Sequence, residues 1–242
     1  MPVDRFPEDV AQRYDDDCAE MFDAAVVEPA VAFLAELAGD GPVLELGIGT
    51  GRIALPLRDR GITVHGVDLS TAMVERLHAK RGGEGIEVTI GDFATVDLGK
   101  TFALAYLVFN TIGNLTSQDE QVACFENVSR HLDSGGHFVI ETGVPGLQRV
   151  LPGERFVPFS VTPTHVGIDE YDIVNQGLVS HHYYVRESSV TSGSIPLRYV
   201  WPSELDLMAR IAGMRLRERF GDWDKRPFTD ESTKHVSVWT KT

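Results

Sequence analysis

The stretch from Val43 to Arg52, Val-Leu-Glu-Leu-Gly-Ile-Gly-Thr-Gly-Arg, constrains the fold of this chain more than any other. Its apolar start is typical of a short buried strand, and three glycines at alternate positions lead into the helical pattern of residues 53–55. A strand, a glycine-rich turn and a helix in this order open an α/β unit of the nucleotide-binding type. Glycine suits such a turn because the backbone bends sharply there and comes close to a ligand.

An acidic residue at the end of the strand distinguishes this loop from a dinucleotide site. The glycines, Gly47, Gly49 and Gly51, are spaced G-x-G-x-G, whereas the dinucleotide spacing G-x-G-x-x-G places an anionic pyrophosphate on a helix N-terminus. Glu45 stands two residues before the first glycine. A carboxylate there disfavours a phosphate and suits a ligand that carries positive charge, which argues against a nicotinamide cofactor.

Strand and helix patterns alternate along residues 43–142. Apolar runs typical of buried strands lie at 43–46, 62–67, 86–90, 102–109 and 137–141. Helical patterns separate them; Ser70 is the expected N-cap of one helix, and Ser117 with Glu120 forms a capping box for another. This alternation predicts a doubly wound α/β fold with a mostly parallel sheet.

The flanking segments complete a single domain over residues 1–242. Residues 1–40 have the pattern of a helical lid. Residues 144–201 contain several prolines and no helical pattern, which predicts an antiparallel β insertion after strand five. Its expected strands are 164–171, 178–186 and 195–201. In residues 202–242, Ser203 is expected to cap a final helix, and a C-terminal antiparallel hairpin brings the sheet to seven strands.

Four stretches at the edge of this predicted sheet occur together in one known family. They are Glu45-Leu46-Gly47-Ile48-Gly49-Thr50-Gly51, Asp68 after Val64-His65-Gly66-Val67, Gly91-Asp92-Phe93, and Leu132-Asp133-Ser134-Gly135-Gly136-His137-Phe138. With this set the chain resembles the class I S-adenosylmethionine-dependent methyltransferases, over residues 43–142 and the final helix and hairpin. The resemblance implies S-adenosylmethionine as cofactor and S-adenosylhomocysteine as product.

The resemblance also implies that three acidic residues hold this cofactor. Glu45 would steady the glycine loop and help to bind the amino group of the cofactor. Asp68 follows Glu45 by about the 20-residue offset at which a carboxylate meets ribose hydroxyls in such units, and a carboxylate can accept from both hydroxyls. Asp92 would accept from the adenine amino group, with Phe93 beside the base.

The methionine part of the cofactor has further candidate partners. Asn110, after the fourth strand, would meet it through its side chain or its backbone. The resemblance suggests that the N-terminal helix closes over the cofactor, and Tyr14 is the candidate contact there. Arg13 or Arg52 would pair with the methionine carboxylate.

The insertion, which we place on the substrate side, holds a dense group of aromatic and histidine residues. On a strand, His181 and Tyr183 would share one face, while His182 and Tyr184 share the other. His181 and His182 are therefore candidate general bases, because a histidine pKa lies near neutrality. Four aromatic residues are candidate substrate contacts: Tyr183, Tyr199, Trp201 and Trp223.

The composition restricts the partners. The chain has 242 residues and a formal net charge of −14, which disfavours nucleic acid and anionic membranes because both need basic patches. Its two cysteines are too few for a disulfide framework, and no signal peptide or membrane span is evident, so a cytoplasmic location is expected. The histidines lack the spacing of a metal site, and no catalytic metal is predicted.

The leading hypothesis is a methyltransferase that acts on N or O of a small molecule by in-line displacement, with a homodimer left open. Two alternatives stand beside it. A nicotinamide-dependent oxidoreductase would share the fold type, and a non-catalytic S-adenosylmethionine-binding protein would share the cofactor site.

Overall fold

The computed structural model describes residues 4–186 and 189–242, which form seven α-helices and eleven strands. The helices are α1 (Glu8–Ala11), α2 (Tyr14–Asp17), α3 (Ala24–Ala38), α4 (Ala54–Asp59), α5 (Thr71–Ala79), α6 (Gln118–Arg130) and α7 (Pro202–Ile211). The strands are β1 (Val43–Leu46), β2 (Val64–Asp68), β3 (Glu87–Ile90), β4 (Phe102–Leu107), β5 (Leu132–Gly143), β6 (Phe156–Val161), β7 (His165–Asp172), β8 (Gly177–Arg186), β9 (Ser189–Arg198), β10 (Met214–Phe220) and β11 (Lys234–Lys241).

The main sheet has seven strands in the order β10-β11-β5-β4-β1-β2-β3. β1 to β5 pair in parallel, and the β10-β11 hairpin adds two antiparallel strands beside β5. The predicted doubly wound, seven-stranded, mostly parallel sheet with a C-terminal hairpin is confirmed. Because the strand order reverses between β1 and β4, the segments that follow these two strands go to opposite faces of the sheet and leave a crevice for a ligand.

Apolar side chains alternate across the central strands and build one core on each face of the sheet. Leu44 and Leu46 pack into the core that α6 and α7 cover, whereas Val43 packs into the core beneath α3. In the first core, Phe125 contacts Trp239 edge-on, with their ring centroids 5.5 Å apart. Burial on both faces explains why the parallel strands have near-continuous apolar sequences.

The insertion forms a separate four-stranded antiparallel sheet, β6-β7-β8-β9. The predictions at 164–171 and 178–186 match β7 and β8 closely. The prediction at 195–201 is wrong in its bounds, since β9 is Ser189–Arg198. β6 was not predicted, because Pro158 interrupts its pattern and is tolerated only at the edge of a sheet.

Three boundaries differ from the predictions. The predicted fourth strand, 102–109, stops at Leu107, and Phe109 lies beyond it. The helical pattern that starts at residue 53 becomes α4 one residue later, at Ala54. Ser203 is not a cap: α7 begins at Pro202, with Trp201 at the N-cap position and proline in the first turn.

Candidate active site

The glycine loop after β1 adopts backbone angles that other residues rarely take. Gly47, Gly49 and Gly51 have φ angles of +70°, +55° and +83°. A Cβ atom at Gly47 would lie 2.7 Å from a methyl carbon of Thr111, and one at Gly51 would lie 2.2 Å from a methyl carbon of Leu77. The loop therefore requires glycine for conformation and for space.

The carboxylate of Asp68 ties this loop to the end of β2. One oxygen accepts from the Gly49 amide at 2.7 Å, and the other accepts from the Ser70 amide at 2.9 Å. Each oxygen keeps acceptor capacity for a further donor. Burial raises the pKa of Asp68, and the two amide bonds act in the opposite direction.

A cavity of about 220 Å³, here called the rim cavity, brings most of the predicted cofactor residues together. It is lined by Tyr14, Gly47, Gly49, Asp68, Asp92 and Phe93. Asp92 also accepts from the Ala94 amide at 2.9 Å, so it is both a turn residue and a cavity residue. The sequence reasoning missed Phe6, which lines the same cavity. Its carbonyl accepts from the Ser70 hydroxyl, and its ring meets that of Tyr14 edge-on.

Glu45 lies beneath the loop beside a smaller cavity of about 50 Å³, the inner cavity. The Tyr106 hydroxyl donates to its carboxylate at 2.8 Å. Burial raises the pKa of Glu45 to about 8, although the Tyr106 bond and Arg52 act against this. A cationic ligand in the inner cavity would favour the ionised carboxylate.

The structure separates the two arginine candidates. Arg52 lines the inner cavity, donates to the Met21 carbonyl at 3.3 Å, and has its guanidinium carbon 5.1 Å from the centroid of Phe109. Arg13 lines neither the rim nor the inner cavity; its guanidinium faces Asp9 and Asp17 at 3.8 and 3.9 Å. Of the two, Arg52 is the one placed to meet a carboxylate in the inner cavity.

Asn110 occupies the predicted strand end, but its side chain points elsewhere. It accepts from the Thr142 hydroxyl and, at 3.3 Å, from the Gly143 amide. Its neighbours Phe109 and Thr111 line the inner cavity instead. This leaves the backbone near Asn110 as the predicted contact with a ligand.

A third cavity, of about 280 Å³, adjoins the inner cavity and is here called the hairpin cavity. The two share Arg52, Ile53 and Val108 in their walls. The rest of its polar lining comes from the end of β5 and the β10-β11 hairpin: Glu141, Asp222, Asp224, Arg226 and Lys234. The rim and inner cavities share Tyr14, Gly47, Gly49 and Thr111 in their walls and can together hold a cofactor. The hairpin cavity beside them can hold a second molecule.

Comparison with known proteins identifies the family. A family model described as "Methyltransferase domain" matches residues 43–136. The solved structure of the CcbJ methyltransferase from Streptomyces caelestis is 36% identical, with a TM-score of 0.88 and 98% of each chain covered. This chain belongs to the class I S-adenosylmethionine-dependent methyltransferases. Its cofactor is S-adenosylmethionine, and the nicotinamide alternative is overturned.

Two curated relatives are also methyltransferases. The cypemycin N-terminal methyltransferase of a Streptomyces species is 27% identical over 239 residues, which cover 93% of this chain and 96% of the relative. The dTDP-3-amino-3,6-dideoxy-alpha-D-glucopyranose N,N-dimethyltransferase of Streptomyces fradiae is 31% identical over 99 residues, 41% of this chain and 38% of the relative.

Helix α2 of the methyltransferase is held to the glycine loop by a charged network. The Thr50 hydroxyl donates to Asp15 at 2.6 Å, and the Lys80 ammonium meets the same carboxylate at 2.5 Å and the Thr50 carbonyl at 2.8 Å. Arg186 of β8 pairs with Asp17 at 2.7 Å. Helix α2 therefore connects the cofactor loop to the insertion.

The insertion residues proposed for catalysis do not line any of the three cavities. His182 lies 3.1 Å from the ring nitrogen of His165, and burial lowers the pKa of His182. His181 is 3.3 Å from Glu170 and 2.8 Å from the Ser194 hydroxyl. The expected alternation of faces is present, but the structure does not bring either histidine to the cofactor site.

The four aromatic candidates are scattered. Tyr183 is exposed on the insertion, Tyr199 packs with Tyr171 at 6.0 Å, and Trp201 is exposed before α7. Trp223 lines the hairpin cavity, yet most of its ring is buried against α3. Trp223 is thus the one of the four that a ligand in the three cavities can reach.

Residues 4–186 and 189–242 contain no group of three or more His, Cys, Asp or Glu side chains that could hold a metal ion. Over the same residues, the helices are too short or too polar to cross a membrane.

Proposed function

We propose that this methyltransferase transfers the methyl group of S-adenosylmethionine to an amine nitrogen of a small molecule held in the hairpin cavity. The main support for this proposal is the set of titratable side chains that line the rim, inner and hairpin cavities. Their titratable lining residues, within the described part of the chain, are carboxylic acids, a tyrosine, a lysine and arginines, and no histidine is among them. An amine that binds deprotonated needs less help from a base than a hydroxyl does.

The acidic lining also fits the charge that develops on an amine. The cofactor supplies an activated methyl group on a positively charged sulfur, so methylation leaves the positive charge on the acceptor nitrogen. Asp222 and Asp224 lie in the wall of the hairpin cavity and favour a cation there. The two curated relatives act, by their names, on a peptide N-terminus and on an amino sugar, and both acceptors are amines.

The proposal assigns roles to the residues around the cofactor. The Gly47–Gly51 loop and Asp68 hold the nucleoside part, with Asp92 and Phe93 at the base. Glu45 and Arg52 face the methionine part, and Tyr14 closes over it from the lid. These groups contribute mainly by alignment, because holding reactants in line removes much of the entropic barrier.

Each segment of the chain has a proposed role in this reaction. Residues 1–40 act as the lid, residues 43–142 bind the cofactor, and the hairpin of residues 202–242 encloses the acceptor together with the lid. The described residues of 144–201 line none of the three cavities, so the substrate-side role predicted for the insertion has no support from the cavity lining. A cytoplasmic location stays a prediction.

The test is a methylation panel with the purified protein and S-adenosylmethionine. It should contain two amines, a nucleotide-linked amino sugar and a peptide with a free N-terminal amine. It should also contain the hydroxyl analogue of each amine, and a phenol. We expect S-adenosylhomocysteine to form with an amine, and mass spectrometry to locate one added methyl group on nitrogen. Turnover of hydroxyl acceptors alone would show that the enzyme methylates oxygen and not nitrogen. Cofactor binding without turnover of any acceptor would contradict the proposal as a whole.

A further inference from the structure

Two consecutive residues after β4, Phe109 and Asn110, form a strained turn that we call the tip. Their φ angles are +57° and +59°. Residues with side chains rarely adopt this left-handed region, and such strain persists only where the surroundings enforce it. The tip lies at the edge of the cofactor site, so the groups that enforce its shape are relevant to the reaction.

The end of β5 holds the tip in place. The Glu141 carboxylate accepts from the Phe109 amide at 3.0 Å, and the Glu141 carbonyl accepts from the Asn110 amide at 3.2 Å. The Thr142 hydroxyl and the Gly143 amide both donate to the Asn110 side chain. Every one of these bonds spans the gap between β4 and β5, so the shape of the tip depends on β5.

The tip and its partner Glu141 lie against two adjoining cavities, the inner cavity and the hairpin cavity. The Phe109 ring lines the inner cavity and lies against the Arg52 guanidinium, whereas Glu141 lines the hairpin cavity. The other carboxylate oxygen of Glu141 faces Lys234 at 3.3 Å. Lys234 has a closer partner in Asp222, at 2.7 Å.

We propose that Glu141 is a positioning residue for methyl transfer, which acts by fixing the Phe109 amide and thereby the Phe109 ring and Arg52. The alternative role for a carboxylate in this cavity is direct attraction of the acceptor amine. The two roles differ in what they require: an oxygen acceptor is enough for the first, whereas the second needs negative charge. The inference rests on the methyltransferase activity and not on the choice of nitrogen as acceptor.

Glu141→Gln and Glu141→Ala separate the two roles. Glutamine keeps an oxygen for the Phe109 amide but carries no charge, and alanine has neither. We expect Glu141→Ala to lower kcat by about 10- to 100-fold, the effect of a misplacement of about 1 Å. The Kd for S-adenosylhomocysteine should change less than kcat, because Asp68 and Asp92 hold the nucleoside part without any bond to the tip. Glu141→Gln should keep kcat within about threefold of the unchanged protein. Glu126→Ala, which removes an exposed carboxylate on α6, is the matched control.

Hydrogen exchange of the Phe109 amide, measured by NMR with S-adenosylhomocysteine bound, tests the same inference without any acceptor. Exchange should be at least about tenfold faster in Glu141→Ala and nearly unchanged in Glu141→Gln. Equal losses in the two variants, or an alanine variant with normal kcat and exchange, would overturn the inference. Because this measurement needs no turnover, it remains decisive even if the amine proposal fails.

A second variant covers the case in which Glu141→Ala does not fold. Thr142→Val removes the hydroxyl that donates to Asn110 and nearly preserves side-chain volume. We expect a lower kcat with unchanged affinity for S-adenosylhomocysteine. An unchanged kcat in this variant would contradict the role of β5 in holding the tip.

An independent observation concerns the side of the insertion sheet that faces away from the N-terminal helices, here called the outer face. The opposite side carries Tyr184 and Arg186, which approach the lid through Asp17. The register of the four strands assigns to the outer face Phe156, Pro158, Val161, Val166, Ile168, Glu170, Val179, His181, Tyr183, Val185, Val190, Ser192, Ser194 and Pro196. Five of these apolar side chains are exposed, Val161 at 75%. An apolar patch of this extent marks an interaction surface.

The geometry points to a second copy of this chain as the occupant of the outer face, in a two-fold contact of sheet on sheet. Four strands spaced about 4.8 Å apart, with eight residues of about 3.3 Å each, give a face of about 500 Å². Two copies would therefore bury about 1,000 Å², which reaches the lower limit for a specific interface. A two-fold contact needs a self-complementary patch, and an apolar face satisfies this.

Edge geometry favours the same arrangement, whereas the net charge of −14 on each copy opposes self-association. Glu170, at the centre of the outer face, is paired with Arg155, which lessens the local repulsion. The edge strands β6 and β9 contain Pro158 and Pro196, which cannot donate to an added strand. Contact through the face is therefore favoured over contact through an edge.

Sedimentation over a range of concentrations tests this contact. We expect a dimer with a dissociation constant in the micromolar range and at least about tenfold weaker dimerisation in Val161→Lys. Val174→Lys is the control, because Val174 is 90% exposed at the turn between β7 and β8 and lies off the outer face. A monomer at all concentrations, or a dimer that Val161→Lys does not weaken, would overturn the assignment.

Discussion

Asp68→Ala is expected to weaken the binding of S-adenosylhomocysteine by about 100-fold or more. The carboxylate accepts from the amides of Gly49 and Ser70, and it is also placed to accept from ribose hydroxyls in the rim cavity. Leaving two ligand hydroxyls unpaired costs one to two orders of magnitude in affinity. The loss of the Gly49 bond adds to this because it frees the glycine loop. Isothermal titration calorimetry measures the change directly.

Two further variants make this result specific. Asp68→Asn keeps one oxygen acceptor, so its affinity should fall between those of Asp68→Ala and the unchanged protein. Asp59→Ala removes an exposed carboxylate from the end of α4 and should leave the affinity unchanged. An Asp68→Ala protein that folds and binds S-adenosylhomocysteine normally would refute the ribose assignment.

Asp68 also illustrates what local sequence can predict. The main sheet was predictable because its strands are short apolar runs between clear turn signals, and because parallel strands place their carboxyl ends at one edge. Asp68 and Asp92 follow such strands directly, so their arrival at the rim cavity depends only on topology. The glycine loop was predictable for a similar reason, since its conformation is encoded in its own residues.

The features that were not predicted depend on contacts between distant segments. Arg13 and Arg52 were equal candidates in the sequence, and packing alone places one of them in the inner cavity. Phe109 looked like the last residue of an apolar strand, and its left-handed turn is fixed by Glu141, 32 residues further along. Strand alternation separated His181 from His182 correctly, but it could not show that neither faces the cofactor.

The buried carboxyl group of Glu45 should make the stability of the cofactor-free protein strongly dependent on pH. Burial raises its pKa from 4.5 to about 8, so the folded protein holds a proton that the unfolded chain releases. The contribution of Glu45 to the unfolding free energy is therefore largest below about pH 4.5 and is lost as the pH rises towards 8. A pKa difference of this size is equivalent to about 5 kcal/mol.

Glu45→Gln removes this dependence, because glutamine is neutral and its oxygen can still accept from Tyr106. We expect the variant to resist urea better than the unchanged protein at pH 8 and to match it at pH 5. Glu126→Gln, on the surface of α6, serves as the control and should show neither effect. An equal stability difference at both pH values would contradict the assigned protonation.

The same proton should be released when the cofactor binds, because the ammonium group of the methionine part favours the ionised form of Glu45. Between about pH 5 and 7.5, the affinity for S-adenosylhomocysteine should rise by up to about tenfold for each pH unit. Calorimetry in two buffers with different ionisation enthalpies would count the released proton. In Glu45→Gln the affinity should be lower and nearly independent of pH. A variant that keeps the pH dependence of the unchanged protein would show that another group releases the proton and that Glu45 does not face the ammonium.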